Sequence, residues 1–217
     1  MERAFKSALA RAYETVRVEP EEYLMHLRMA HGVPVSSYDG LFTVPVAELD
    51  SIAEQTVRGA MKMAGAEGAG LGLGGFVTIV PDLGILSAIT MRMVQKLSLI
   101  YGFQFNTDDE VAELWIAAAT AAGVDITKDL LERTVMKSFV QRVIGRIAAR
   151  FSTEFAEKAV ARAVPILSAA VGAMLNYCFV RAWGDRALAH FRQRHLDERN
   201  RRVASPILLG APPASNQ

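Results

Sequence analysis

The chain has 217 residues, room for one large domain, with 51% apolar residues, 22% charged residues and a formal net charge of +1. That balance excludes a polytopic membrane protein and supplies no bulk charge for nucleic acid, for which no recognition motif appears either. The single cysteine, Cys178, excludes an intrachain disulfide and a multi-cysteine metal site; its setting in LNYCFV reads as that of a small buried hydrophobe.

The text is helical nearly throughout, because Ala, Leu, Met, Glu, Arg and Gln dominate and strand-like alternation is scarce. The opening MERAFKSALARAYETVRVE carries charge along its length and no apolar core. It therefore reads as an amphipathic helix over about 2–17 rather than a secretory signal, and cytoplasmic placement follows by default. Pro20 suits the first turn of a second helix ending near residue 30. The breaker-rich stretch from His31 to Pro45 predicts a long irregular connection. A helix is expected from about 46 to 64, and another from Pro81 and Asp82 to Ile100, with Asp82 as its N-cap and Gly102 as its stop. Thr107 and Glu110 have capping-box spacing, and Asp108 and Asp109 suit a helix start. That helix should end near Gly123. Asp125 should cap a long helix to about Arg150, Ser152 or Thr153 should restart one to Pro165, and a last helix should run from Ile166 past His195. The Pro-rich end predicts disorder over 201–217.

The stretch from Gly70 to Gly75 matches GxGxxG by letter. A dinucleotide site needs a strand before that motif and a helix opening on it. Here the preceding text is helical and FVTIVP follows, so no nucleotide or other cofactor is expected. Closely spaced glycines and alanines instead let helices approach tightly. Residues 68–91 carry one charge, Asp82, and residues 163–180 carry none. Both reach the roughly 20 apolar residues of a membrane span only marginally, and buried hairpin helices are the first expectation.

Arg142, Arg146 and Arg150 recur at helical spacing beside Val140, Val143, Ile144 and Ile147. The stretch 181–202 holds seven arginines, among them Arg181, Arg186, Arg192 and Arg194. Basic amphipathic helices of this kind suit an anionic lipid surface; a solvated, ion-paired face is the competing reading. Catalytic chemistry finds no support. His190 and His195 fall on different helix faces, no metal-ligand spacing occurs, and the set His31, Ser36, Ser37 and Asp39 lacks the GxSxG elbow of a hydrolase.

Two longer passages carry more: GLGGFVTIVPDLGILSAITMRMVQKLSLIYGFQFNTDDE and VPILSAAVGAMLNYCFVRAWGDRALAHFRQRHL. Their shared pattern comprises Gly74, Gly75, Asp82, Leu83, Arg92, Tyr101, Gly102, Gly172, Ala173, Asn176 and Tyr177. Over roughly 48–195 this resembles the EcsC family of bacterial proteins. The resemblance implies association with the components of an ABC transporter linked to secretion, and it implies no catalytic residue. The expected fold is all-α, a single compact multi-helix bundle with two Gly/Ala-rich apolar central helices. Residues 1–45 would form a lead-in and 46–200 the EcsC-like domain. Asn176 would need a hydrogen bond if buried, and Asp82 or Arg92 could supply it as a polar latch. The expected function is a non-catalytic accessory role, cytoplasmic and peripheral at the inner face of the cell membrane, toward lipid or a membrane-protein partner. The alternatives are a soluble bundle that holds a hydrophobic ligand between its two apolar helices and, last, a hydrolase built on the 31–45 loop. Ligand, partner and oligomeric state stay open.

Overall fold

A computed structural model describes residues 2–71, 79–125, 136–161 and 168–209. These residues form an all-α bundle: α1 (Glu2–Thr15), α2 (Pro20–His31), a 3-10 helix (Tyr38–Thr43), α3 (Val46–Leu71), α4 (Ile79–Ile100), α5 (Asp108–Ala121), α6 (Met136–Ala161) and α7 (Ser168–Leu209). No strand occurs among the described residues.

α4 is central because its sequence is apolar nearly all round, the signature of a helix buried on several faces. Leu86, Met91, Met93, Val94, Leu97, Leu99 and Ile100 are all buried. It touches α1, α2, α3, α5 and α7, while α3 and α7 share the most extensive interface. α6 closes the bundle against α1 and α5. The aromatic core includes Trp115, Phe105, Phe139 and Phe191, all fully buried, with Tyr13 of α1 5.5 Å from the Trp115 ring. The link between α1 and α2 is tied to α4 by one long-range bond: Val18 N donates to the buried Gln95 Oε1 at 2.7 Å.

Local signals fix several boundaries. Thr107 and Glu110 form the capping box: Glu110 N donates to Thr107 Oγ1 at 3.3 Å, and Thr107 N donates to Glu110 Oε2 at 2.9 Å. Gly102 takes φ +91° just beyond α4, where Gly102 N donates to Leu99 O and Phe103 N to Ser98 O.

Other boundaries move. α3 continues through residue 64 to Leu71, into the glycine stretch, and packs there against α7 at Gly65. A β-carbon at Gly65 would lie 3.8 Å from Tyr177 Cδ2 and 4.0 Å from Ala173 O. α4 is already helical at Ile79, so Asp82 lies inside its first turn rather than at the N-cap. α6 runs unbroken through Ser152 and Thr153, where a restart is expected; Thr153 Oγ1 satisfies itself on Ala149 O at 3.2 Å, inside the helix. α7 continues to Leu209, past the residue 201 at which disorder is expected. Part of the 31–45 connection is ordered as the 3-10 helix, because Tyr38, Leu41 and Phe42 are buried.

Cys178 is exposed, contrary to the expectation of a packed thiol. The buried residues of that turn are Asn176, Phe179, Val180 and Trp183, a helical stripe from which position 178 points away. Among the described residues no helix is long and apolar enough to cross a membrane. Gly74, Gly75, Pro165 and the start expected at Asp125–Ile126 lie wholly or partly outside the described residues.

Candidate functional site

The Tyr-Gly pair at the end of α4 anchors the C-terminal half of α7. Tyr101 is fully buried, and its hydroxyl donates to Asp50 Oδ1 on α3 at 2.7 Å. Arg192 of α7 donates from Nε to Asp50 Oδ2 at 2.9 Å, so one carboxylate joins three helices. Burial and the adjacent carboxylate hold the Tyr101 phenol far above its ordinary value, so it stays a donor. One turn along α7, His195 lies buried with Nδ1 2.9 Å from Tyr101 O. A carbonyl can only accept, so Nδ1 carries the proton and Nε2 is a bare lone pair. That lone pair has no hydrogen-bond partner among the described residues. The imidazole stacks on Phe42 at 4.8 Å, and the Arg202 guanidinium covers Phe42 at 4.0 Å while reaching Asp39 at 3.0 Å.

This anchor holds a neutral histidine. Burial pushes the His195 pKa below its ordinary 6.5, only partly opposed by the Tyr101 carbonyl, and Arg199 and Arg202 add to the lowering. His190 and His31 are also lowered, chiefly by burial. Groups with depressed native values stabilise fully above the unfolded value and lose that contribution as pH falls past it toward the native value. The melting temperature should therefore be level above about pH 7 and fall steadily below about 6.5, the unfolded histidine value. His195→Phe, which keeps the stack and removes the titration, should flatten part of that fall in a melting series from pH 8 to 5. An unchanged slope would place the acid sensitivity elsewhere.

A second feature is a groove of about 460 Å³ where the end of α2 meets α3 and α4. Arg92 and Lys96, one turn apart on α4, line one side; Gln55 and Thr56 of α3 supply polar groups, and Met63 and Ile89 supply apolar walls. No carboxylate lines it, and neither cation has an ion-pair partner among the described residues. Tyr23 supports the floor through Thr56, its phenol pushed up to about 12 by burial and drawn partly back by that hydrogen bond. The Lys96 ammonium sits 5.7 Å from the Tyr23 ring centroid. Its pKa is lowered by burial and then by the Arg92 charge. Like charges four residues apart on a helix repel by roughly 0.2–0.5 kcal/mol. Here no carboxylate lines the groove to offset that repulsion.

The arginines of interest divide by helix. On α7, Arg181 pairs with Asp185 at 3.7 Å, and Arg186 Nη1 donates to Ala121 O at 3.0 Å, closing the end of α5. Arg192 holds Asp50, and Arg194 lies 3.8 Å from Glu113 and over the Phe103 ring at 4.1 Å. These four tie α7 to its neighbours or to itself. On α6, Arg146 and Arg150 are exposed and Arg142 half-exposed, with Arg146 Nη1 donating to Asp125 O at 2.9 Å. The apolar stripe beside them is not available to a membrane: Val143, Ile144, Ile147 and Ala148 are buried in the bundle core.

The remaining motif residues are placed unequally. Asn176 is buried and Tyr177 partly exposed on α7, which also carries Gly172. Arg92 makes no hydrogen bond to Asn176, because it lies exposed at the groove, so the Arg92 half of the expected latch is absent. The Asp82 side chain is outside the description. No group of histidine, cysteine, aspartate and glutamate suited to a metal occurs among the described residues. Asp39 is engaged by Arg202, Ser36 and Ser37 are exposed, and His31 packs edge-on to His26 at 5.5 Å; no hydrogen bond joins them into a triad.

The EcsC protein family model matches residues 2–196. The chain belongs to the EcsC family. It is also similar to Protein EcsC of Bacillus subtilis (strain 168), 26% identical over 194 residues that cover 85% of this chain and 79% of that protein. No solved structure matches. The family match begins at residue 2 and takes in α1 and α2. That agrees with the packing of α1 on α4 and α6. In this EcsC-family chain the Tyr101-Gly102 element is a joint between α4, the 3-10 helix and α7, while Arg92 points to a groove. Asp50 and Lys96 escaped sequence reasoning, and His195 was weighed there only as a metal ligand. Arg92 and Lys96 at four-residue spacing were a visible signal, whereas Asp50 and Arg192 stand 142 positions apart.

Proposed function

We propose that this EcsC-family protein acts without catalysis as a peripheral accessory protein at the cytoplasmic face of the cell membrane, toward anionic lipid or a transport or secretion partner embedded there. The observation that carries this reading is the basic outer face of α6. Its apolar stripe is committed to the core, which leaves Arg146 and Arg150 exposed and Arg142 half-exposed beside them. Contact through such a face is electrostatic rather than insertional, so it is reversible by salt. The absence, among the described residues, of a helix able to cross a membrane is in keeping with peripheral contact. The secretion context comes from the family resemblance.

The test is co-sedimentation with anionic and neutral vesicles at rising salt. Basic residues at such a surface contribute about 1 kcal/mol each. Replacing Arg142, Arg146 and Arg150 together with glutamine should weaken binding to anionic vesicles about tenfold or more, with helix content checked by circular dichroism. Binding that survives the triple replacement, or that carbonate washing does not remove, would end the α6 reading.

A further inference from the structure

The groove between α2, α3 and α4 combines three properties. Its two cations, Arg92 and Lys96, sit on the same face of α4 with no carboxylate to neutralise them among the described residues. Its walls continue from those cations into apolar side chains: Ile89 and Met93 are buried beneath, and Met63 stands 58% exposed at the edge. At its α3 side is Gly59, in the interior of a long helix, where a β-carbon would meet nothing within 4 Å. Glycine is unfavourable inside a helix, and no neighbour requires it here. Gly59 lines the groove, so a larger side chain at this position would take up groove space.

We propose that this groove binds the phosphomonoester head of a phosphatidic acid together with the upper part of one acyl chain. The charge argument favours phosphate. A phosphomonoester carries close to two negative charges at neutral pH, which matches Arg92 plus Lys96. The planar guanidinium can take two phosphate oxygens at once, and the ammonium acts as a point charge on a third. The apolar run toward Met63 gives the chain an exit, and methionine adapts to an irregular tail. The volume of about 460 Å³ suits a head and the first part of a chain, not a whole two-chain lipid. Gln55 and Thr56 add hydrogen-bonding groups at the head end. The site is separate from the outer face of α6, and stands or falls independently of it.

The test uses the full chain and dihexanoyl phosphatidic acid below its micelle concentration, followed by calorimetry and by ¹⁵N-amide shifts. Saturable one-to-one binding is expected, with shifts confined to the α2 end, α3 and α4. Arg92→Gln with Lys96→Gln should weaken it at least tenfold. Gly59→Leu, a good helix former that fills the open space, should abolish it while leaving the melting temperature unchanged or raised. Dihexanoyl phosphatidylcholine and inorganic phosphate should each bind at least tenfold more weakly, because one lacks the net charge and the other the tail. The Arg142/Arg146/Arg150 variant should bind as the unaltered chain does. The proposal is overturned by no binding at millimolar lipid, by equal binding in the Arg92/Lys96 or Gly59 variants, or by loss of binding in the α6 variant. Free phosphate as tight as the lipid would likewise overturn it, leaving a plain anion site.

Discussion

Replacing Gly102 with alanine should cost the bundle about 2–5 kcal/mol, read as a lower denaturation midpoint in urea. Two physical terms add. Gly102 has φ +91°, where a residue with a β-carbon is strained by roughly 1–2 kcal/mol. The new methyl would also stand 2.8 Å from Phe42 Cε2 and 3.0 Å from Cζ, and displacing a packed side chain adds about 1–3 kcal/mol. Phe42 has little room to retreat. Its ring is stacked on His195, meets Phe103 edge-on at 5.7 Å and lies under Arg202. The damage should therefore spread to the stretch of α7 around Phe191–Arg202 and speed amide exchange there. A midpoint within experimental error of the unaltered chain would show that this joint does not hold α7. Faster exchange confined to α1 would argue the same.

The second large effect is expected at the crossing of α3 and α7. Gly184 lies where a β-carbon would stand 2.5 Å from Val57 Cγ1, 3.0 Å from Val57 Cγ2 and 3.2 Å from Met93 Sδ. A valine in a helix has essentially one χ1 rotamer, so Val57 cannot rotate its methyls out of the way. Gly184→Ala should destabilise by about 2 kcal/mol, the overpacking cost exceeding the up to about 1 kcal/mol that alanine gains in a helix. The diagnostic is the double change. In a Val57→Ala background the obstructing methyls are gone, and Gly184→Ala should be neutral or stabilising. If it costs the same in both backgrounds, the close crossing at Gly184 is not the cause.

The two glycine effects differ in origin, and that difference bears on the EcsC motifs. Gly102 is required by backbone conformation and a clamped aromatic ring. Gly184 is required only by proximity of another helix. Gly59 meets neither condition, which is why it enters as a feature of the groove rather than of the fold. The His195 anchor likewise separates from the basic groove. One is a neutral, buried contact that weakens with acid; the other is a pair of cations with no carboxylate beside them, Arg92 exposed and Lys96 half-buried.

Much of the architecture was legible in the sequence, because it rests on interactions a few residues apart. The capping box at Thr107–Glu110 is a three-residue device, and the stop at Gly102 depends on one backbone angle. Helical periodicity marks Val143, Ile144 and Ile147 as one face, and all three are buried. The family pattern likewise lies in short, ordered text, and the match over residues 2–196 is wider than that text. Periodicity could not say what covers an apolar face. The stripe beside the α6 arginines reads as part of a helix suited to a lipid surface or to a solvated, ion-paired face, and the positions of α1 and α5 bury it in the core. Nor could it say whether an arginine is turned outward or tied inward. Arg192 reads as a surface charge until Asp50, 142 positions away, is brought to 2.9 Å. Cys178 reads as buried from its neighbours, yet the direction of one helical stripe leaves it exposed. Secondary structure follows from local sterics and spacing, which a sequence carries in full. Which charges are neutralised, which faces are covered and where a groove stays open depend on contacts between distant segments, and only the packed chain brings those together.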